Sequence, residues 1–410
     1  MRMLQLAYAN LKEHFLSTIL SVMLLGIGVG MVSFIVTVSE QLNDRFNRDI
    51  RGIDMVVGAK GSPLQLILSA VYQIDNPTGN IPLAEVNKLK RNPLIKYSIP
   101  LSYGDSYQGH RIVGTDSLYL THYAATFAEG EVWNRSMDVV LGSSVAEKLN
   151  LKLGAHFHGN HGFDAEGHAH EESHYNVVGI LNETGTVADR LILTSTASVW
   201  DIHNHIEEES EEVAAHEHEG EHDHHADEEK GEITALLVKF KSPMGIMQIP
   251  RMVNEKTSMQ AAIPAIEINR LYSLMGVGFT TLQIIGMVIM CIAALSVFIS
   301  LLNSLKDRKY ELALMRSLGA SPFKLFGLII QESLLLCLAG YALGIVLGRA
   351  GIMLLSSFGE DQFQFSVSQN GIAHVEIWLL PLTLCIGLIA ALIPAIRAYR
   401  SDISSVLRNE

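Results

Sequence analysis

Four stretches of the chain, residues 17–38, 277–303, 325–355 and 377–396, are apolar over lengths that ordinary core helices do not need. About 20 predominantly apolar residues cross about 30 Å of hydrocarbon, so each stretch predicts a transmembrane helix. The third is long enough to include an interfacial turn at its start, and its Glu332 lies near one end rather than at the centre. Before the first span, Leu4, Leu6, Ala7, Leu11 and Phe15 recur at helical spacing, with Asn10, Lys12, Glu13 and His14 on other faces. Residues 1–16 therefore read either as a short amphipathic helix at the membrane surface or as a plain extension of the span. The first apolar run exceeds the roughly 7–15 residues of a signal-peptide core and no A-x-A-like site follows it, which predicts an uncleaved anchor.

Residues 39–276 carry a different pattern. Alternating or compact apolar runs at 112–113, 138–141, 175–181, 190–193 and 233–240 predict strands, while 143–149 and 196–202 predict short helices. The fold class that follows is a membrane protein with four transmembrane α-helices and a large α+β extracytoplasmic domain inserted between helices 1 and 2. Helical periodicity at 39–50 and at about 252–273 predicts stalks that prolong the first two spans into that domain. In the third span Gly340, Gly344 and Gly348 stand at four-residue steps, a spacing that lets two helices approach closely in lipid.

Charge orients this arrangement. Arg2 and Lys12 precede the first span, Lys306, Arg308, Lys309, Arg316 and Lys324 fall in the 304–324 segment, and Arg397, Arg400 and Arg408 lie in the 397–410 tail. Basic residues mark cytoplasmic segments. Both termini are thus expected in the cytoplasm, with residues 39–276 and the short 356–376 segment outside. A hydrophobic fraction of 48% against 18% charged residues agrees with the membrane class. The net charge is −13, and the stretch from His203 to Glu232 alone holds 13 acidic residues against the single base Lys230. Such a balance argues against nucleic acid as a partner, since a basic face is needed to neutralise phosphates. Cys291, Cys337 and Cys385 all lie in apolar runs, where they read as small core hydrophobes rather than a disulfide framework.

Fifteen of the 17 histidines fall between His110 and His225. One group is His156, His158, His161, His168, His170 and His174; the other is His203, His205, His216, His218, His222, His224 and His225, in and beside the acidic run. Imidazole suits Zn, Cu or Ni, and neighbouring carboxylates favour a dication. These residues are the candidate metal ligands, for Zn or another divalent ion, although no spacing matches a closed structural zinc site. A solvated acidic loop without metal, or one that senses pH through its imidazoles, are the competing readings. There is no G-x-x-x-x-G-K-[ST] loop and no G-x-S-x-G elbow, so nucleotide hydrolysis is expected of another chain and no catalytic residue is assigned. One catalytic pattern matches formally: His170, Glu171, Glu172, Ser173 and His174 read H-E-x-x-H. A membrane metalloprotease would need that motif on a helix beside a cleft, and a Gly- and His-rich stretch gives little helical support.

Three patches resemble the MacB/FtsX-type ABC transporter permeases, the family that includes the lipoprotein-releasing permeases. They are DRKYELALMRSLGASPFKLFGLI followed by QESLLLCLAGYALGIVLG, then IPAIRAYRSDISSVLR near the end, and VVLGSSVAEKLNLKLGAHF with YNVVGIL in the inserted region. Ile403 stands where that family usually has proline. The resemblance implies a permease subunit that binds no catalytic cofactor of its own and works with a cytoplasmic ABC ATPase, which uses the ATP. It further implies a second permease copy, usually as a homodimer, in a bacterial inner membrane, with a periplasmic or outer-membrane partner beyond. Nucleotide-driven closure would be transmitted to the outer domain without a channel through the spans. Arg308, Glu311, Met315, Arg316, Leu318 and Gly319 are then the residues expected to couple to the ATPase, on a short charged helix ended by glycine. Lipoprotein, peptide or metal-linked cargo all remain open, as does an FtsX-like role in which the same motion activates a periplasmic enzyme.

Overall fold

The computed structural model describes residues 3–161, 169–202, 231–363 and 374–400. The chain divides into two compact units, residues 1–43 with 273–410, and residues 44–272.

The first unit is helical. Four helices are long and apolar enough to cross a membrane: Phe15–Asp49, Pro264–Asp307, Pro322–Phe363 and His374–Tyr399. At 1.5 Å per residue the first is about 50 Å long and the second about 65 Å, both well beyond the hydrocarbon thickness. The third is one helix from Pro322 onward, so the interfacial turn anticipated at its start does not form; Pro322 itself occupies the first turn, where its missing N–H costs nothing. Little hydrophobic force acts between helices in lipid, so close packing and small polar groups hold them together. Ser17 meets Ser300 at 3.0 Å, Ser21 meets Ser296 at 2.9 Å, and the Ser333 hydroxyl donates to Gly387 O at 2.7 Å. A separate helix, Met3–Glu13, precedes the first span, and its Ala7 is buried with Leu312, Leu325 and Leu328. It is packed against protein on one side, which neither reading of residues 1–16 had specified.

The second unit is the inserted α+β domain. Its strands are β1 (Met55–Ala59), β2 (Ile81–Pro82), β3 (Ile95–Tyr107), β4 (His110–Thr115), β5 (Phe127–Gly130), β6 (Asp138–Leu141), β7 (His156–His161), β8 (Ala169–Leu181), β9 (Ile192–Ser195), β10 (Glu232–Ile233), β11 (Ala235–Phe240) and β12 (Met259–Ala262). Among the described residues they form a large sheet in the order β12-β1-β11-β3-β4-β9-β6-β8-β5, with β7 bridging β3 and β8, and a small β10-β2 pair. Two cores lie along the large sheet. Met55, Val57, Leu236, Val238, Ile249 and Val253 build one, and Ile112, Val139, Leu141, Phe157, Tyr175 and Ile192 build the other. β3 joins them: its first half pairs with β11 and its second half with β4 and β7.

The expected stalk at about 252–273 differs from what forms. The helix Pro243–Lys256 ends at Thr257, β12 pairs antiparallel with β1, and the long second helix begins only at Pro264. Helical periodicity at Met252 and Val253 was real, but Met259 and Ala261 are buried by sheet pairing, which a helix cannot provide.

Candidate functional site

The segment between the second and third spans is a distinct element. Lys309–Ser317 is a helix of nine residues whose Leu312 and Ala313 are buried, and Leu312 packs with Ala7, Leu325 and Leu328. It ends in a Schellman motif: Gly319 N–H donates to Arg316 O and Ala320 N–H to Met315 O, both at 3.0 Å, with Gly319 at φ +97°. An L-residue is strained at that φ, which accounts for glycine in the S-L-G-A turn.

Arg308 caps the start of this helix but does not face outward. Its side chain is only 7% exposed. One guanidinium nitrogen donates to Asn10 O at 2.7 Å and lies 3.2 Å from Glu13 Oε2; another is 3.6 Å from Glu332 Oε1. Asn10 Nδ2 also donates to Glu332 Oε1. Glu332 is 2% exposed, so its charge is held by these partners and hardly by water. Arg308 thus fastens the Met3–Glu13 helix, the third span and the short helix to one another. Of the other residues expected to couple, Glu311, Leu318 and Gly319 are exposed, while Met315 and Arg316 are half-buried.

The composition of the exposed face adds two residues that the sequence reading passed over. Tyr310, Leu314 and Leu318 follow one another at four-residue steps and are 51%, 47% and 80% exposed. They form an apolar stripe opposite the buried Leu312 and Ala313. The i, i+4, i+8 spacing carries the signal, which the charged residues between them mask.

Between the spans, the three glycines of the third helix face the first. A Cβ on Gly344 would lie 2.7 Å from Val29 Cβ and 2.9 Å from Gly26 O; on Gly340 it would meet the Leu25 side chain, and on Gly348 it would sit 3.2 Å from Gly30 O. Gly26 and Gly30, in the run GIGVG, are the matching small residues on the first span. Gly344→Leu is therefore expected to force the two helices apart, lowering stability by about 1–3 kcal/mol or more, whereas Gly340→Ala adds one methyl, 2.9 Å from Leu25 Cβ and with no backbone atom of the first span closer than that, and costs less. Thermal unfolding of the purified protein in detergent checks the order of the two.

In the inserted domain, the last turn of the first long helix is held by buried polar groups. Tyr72 Oη–H donates to Phe46 O at 3.0 Å, which also accepts from Ile50 N–H, and Tyr123 Oη–H donates to Asp49 O at 3.2 Å, so tyrosines bond two carbonyls of the last turn. The buried Asp49 accepts from Val187 N–H at 3.1 Å through Oδ1. Phe46 also packs edge-on against Tyr72 and Tyr272, the latter from the start of the second long helix. Burial pushes the Arg190 guanidinium down to about 10, and Arg45 acts in the same direction, while Asp49 and Asp189 oppose them. At 10 the group is still charged near neutrality, and burial pushes the Asp49 carboxyl up to about 6 against the pull of Arg190 and Arg45, so above that pH the two groups carry opposite charge.

The histidines distribute unevenly. His156, His158 and His174 are on β7 and β8; His161 and His170 are described only as strand backbone; His168 and His203 through His225 lie outside the described residues. Among the described residues no group of three His, Cys, Asp or Glu side chains converges on a metal position. The H-E-x-x-H residues belong to β8. Along a strand, residues four apart are separated by about 13 Å, so the one-face pair of imidazoles that a zincin helix supplies does not arise there. His110 is buried and His122 half-buried, and burial lowers the pKa of each, as for histidines that serve the core.

Comparison with known proteins places both units. Residues 18–244 match the family described as the MacB-like periplasmic core domain, and residues 283–403 match the FtsX-like permease C-terminal family. No curated protein matches the chain at a significant level. Among solved structures, the periplasmic region of MacB from Actinobacillus actinomycetemcomitans is 12% identical, with 54% of this chain and 95% of that one covered, at a TM-score of 0.33. The extracellular domain of the noncanonic ABC-type transporter YknZ from Gram-positive bacteria is 15% identical, with coverage of 50% and 98%, at a TM-score of 0.30.

Proposed function

We propose, for a chain that belongs to the MacB/FtsX-type ABC transporter permeases, that it converts ATP hydrolysis by a separate cytoplasmic ATPase into movement of its inserted domain on the far side of an inner membrane. The observation that carries this reading is the Lys309–Ser317 helix: its back is buried, Arg308 ties it to two other helices, and its front offers Tyr310, Leu314 and Leu318. A rigidly held helix with an exposed apolar stripe can receive a push from a partner without bending, because packed side chains transmit displacement. Topology-setting charge alone would require neither the burial nor the Schellman stop.

Two features support transmission to the inserted domain. The helices Phe15–Asp49 and Pro264–Asp307 are each continuous beyond the length a bilayer needs. Asp49, Phe46 and Tyr272 are packed into the domain at the ends of those helices. Cargo of lipoprotein, peptide or metal-linked kind would then be handled outside the membrane, by two permease copies acting together. The chain carries no phosphate loop, so the ATP is the partner's.

The deciding experiment reconstitutes the permease with its ATPase in nanodiscs. Leu314→Glu combined with Leu318→Glu should weaken ATPase binding by at least tenfold while leaving the melting temperature nearly unchanged, since both side chains are exposed. Unaltered ATPase binding by a folded double variant would overturn the assignment of this stripe.

A further inference from the structure

The inserted domain contains a pair of imidazoles that the mechanical reading does not use. On the β7–β8 ribbon, His158 stands directly opposite His174, with Phe157 opposite Tyr175 and His156 opposite Asn176. Alternation along the strands sends Phe157 and Tyr175 inward, where both are buried and their rings stack with centroids 5.5 Å apart. It sends His156, His158 and His174 to the other face. There the rings of His158 and His174 approach to 4.2 Å between centroids, tilted by 54°. His156 and His174 are exposed and His158 is half-buried.

We propose that His158 and His174 form a two-imidazole chelate for a borderline divalent cation of the Zn, Cu or Ni class. A zinc-bound imidazole nitrogen lies about 2.0–2.1 Å from the metal, so two ligands of one tetrahedral ion have nitrogens about 3.3 Å apart. The centroids of two imidazoles on one such ion lie about 5 Å apart, so the pair at 4.2 Å needs only small χ1 and χ2 rotations to bring a nitrogen of each ring to that spacing. The strands also fix both backbones in advance, so binding has to order only side-chain torsions. The ribbon is held from behind as well: β7 pairs with β3, and Gly159 packs so closely that a Cβ there would lie 2.7 Å from Asp105 Oδ2. His156, one step along the same face, is a further imidazole in register. Nitrogen ligands select borderline cations, whereas Mg²⁺ and Ca²⁺ require oxygen.

This inference does not depend on the ATPase reading, and its test reads the metal directly. The full-length protein, purified in detergent through a tag without histidine, would carry Gln at His203, His205, His216, His218, His222, His224 and His225, leaving the ribbon intact. Cu²⁺ is added and followed by electron paramagnetic resonance. One equivalent should bind with a spectrum of two imidazole nitrogens, and Zn²⁺ but not Mg²⁺ should displace it. His158→Gln and His174→Gln should each lower the Cu²⁺ affinity at least tenfold, and the double variant should lose little more than either single one, because a chelate needs both rings. Circular dichroism checks that each variant is folded. Single variants that bind within twofold of the parent, a parent that takes up no stoichiometric Cu²⁺ at micromolar protein, or a loss that follows His170→Gln instead would each overturn the proposal.

Discussion

Arg308→Met is expected to destabilise the helical unit by about 3–5 kcal/mol, the cost of leaving one partner of a buried ion pair without the other. The partner is Glu332, whose remaining polar contact is the Asn10 amide. Loss of the guanidinium also frees Asn10 O and Glu13, which tie down the Met3–Glu13 helix. Arg308→Lys keeps the charge but cannot reach three acceptors with one planar fork, so it should fall between parent and methionine. Adding Glu332→Gln to Arg308→Met should recover most of the loss, because removing both charges leaves no carboxylate unpaired. Thermal unfolding in detergent gives all four values. If the two substitutions instead added their costs, the pair would not be the clamp described here.

Asp49→Ala is expected to have an effect of similar size in the inserted domain, about 3–5 kcal/mol, with a different functional consequence. The substitution removes the acceptor for Val187 N–H and strips a counter-charge from the buried Arg190. Hydrogen exchange at the Val187 amide should accelerate, since that donor then has no side-chain acceptor. Under the proposed function, ATP turnover in a reconstituted complex should persist while work on cargo is lost, because the helix end is no longer pinned to the Val187–Arg190 turn. Asp49→Asn keeps an oxygen for Val187 but not the charge, and should retain the amide's protection while still losing stability. Slowed exchange at Val187 in the alanine variant would rule out the pin.

Much of the architecture could be read from the chain. The four spans, β6 at Asp138–Leu141 and the helix Ser143–Leu149 appear where hydropathy and periodicity put them. Apolar length and alternation are local properties, and burial in lipid or on one face of a sheet needs no knowledge of a partner. β3 was missed although it is the longest strand joining both cores, because IKYSIPLSYGDSY mixes polar and apolar positions without strict alternation. Its two halves pair with different neighbours and shift register between Tyr103 and Ser106, so no single pattern describes it. The run Arg190–Leu193 was read as one strand, but Val187–Arg190 is a 3-10 turn that delivers Val187 to Asp49 and Arg190 to the buried cluster, and β9 starts at Ile192.

The coupling segment shows the same division at the level of single residues. Arg308, chosen with Glu311 and Arg316 for its charge, is turned inward, while Tyr310 and Leu314 are turned outward. Which side of a nine-residue helix is buried depends on where Ala7, Leu325 and Leu328 come to lie, and those belong to other helices. Likewise the many histidines advertised metal by their number, but only strand register set His158 against His174.

The order of amino acids alone thus determined the membrane class, the number of spans, the inserted α+β domain and the glycine stop at Gly319, since each follows from hydropathy, periodicity or a backbone angle within a few residues. Only the tertiary structure decided that Arg308 is buried against Glu332 and Asn10, that Gly26 and Gly30 receive Gly344 and Gly348, and that Asp49 meets Val187. These are meetings between residues far apart in the chain. Their energies come from excluding water and lipid at a shared surface, which exists only after both sides have folded.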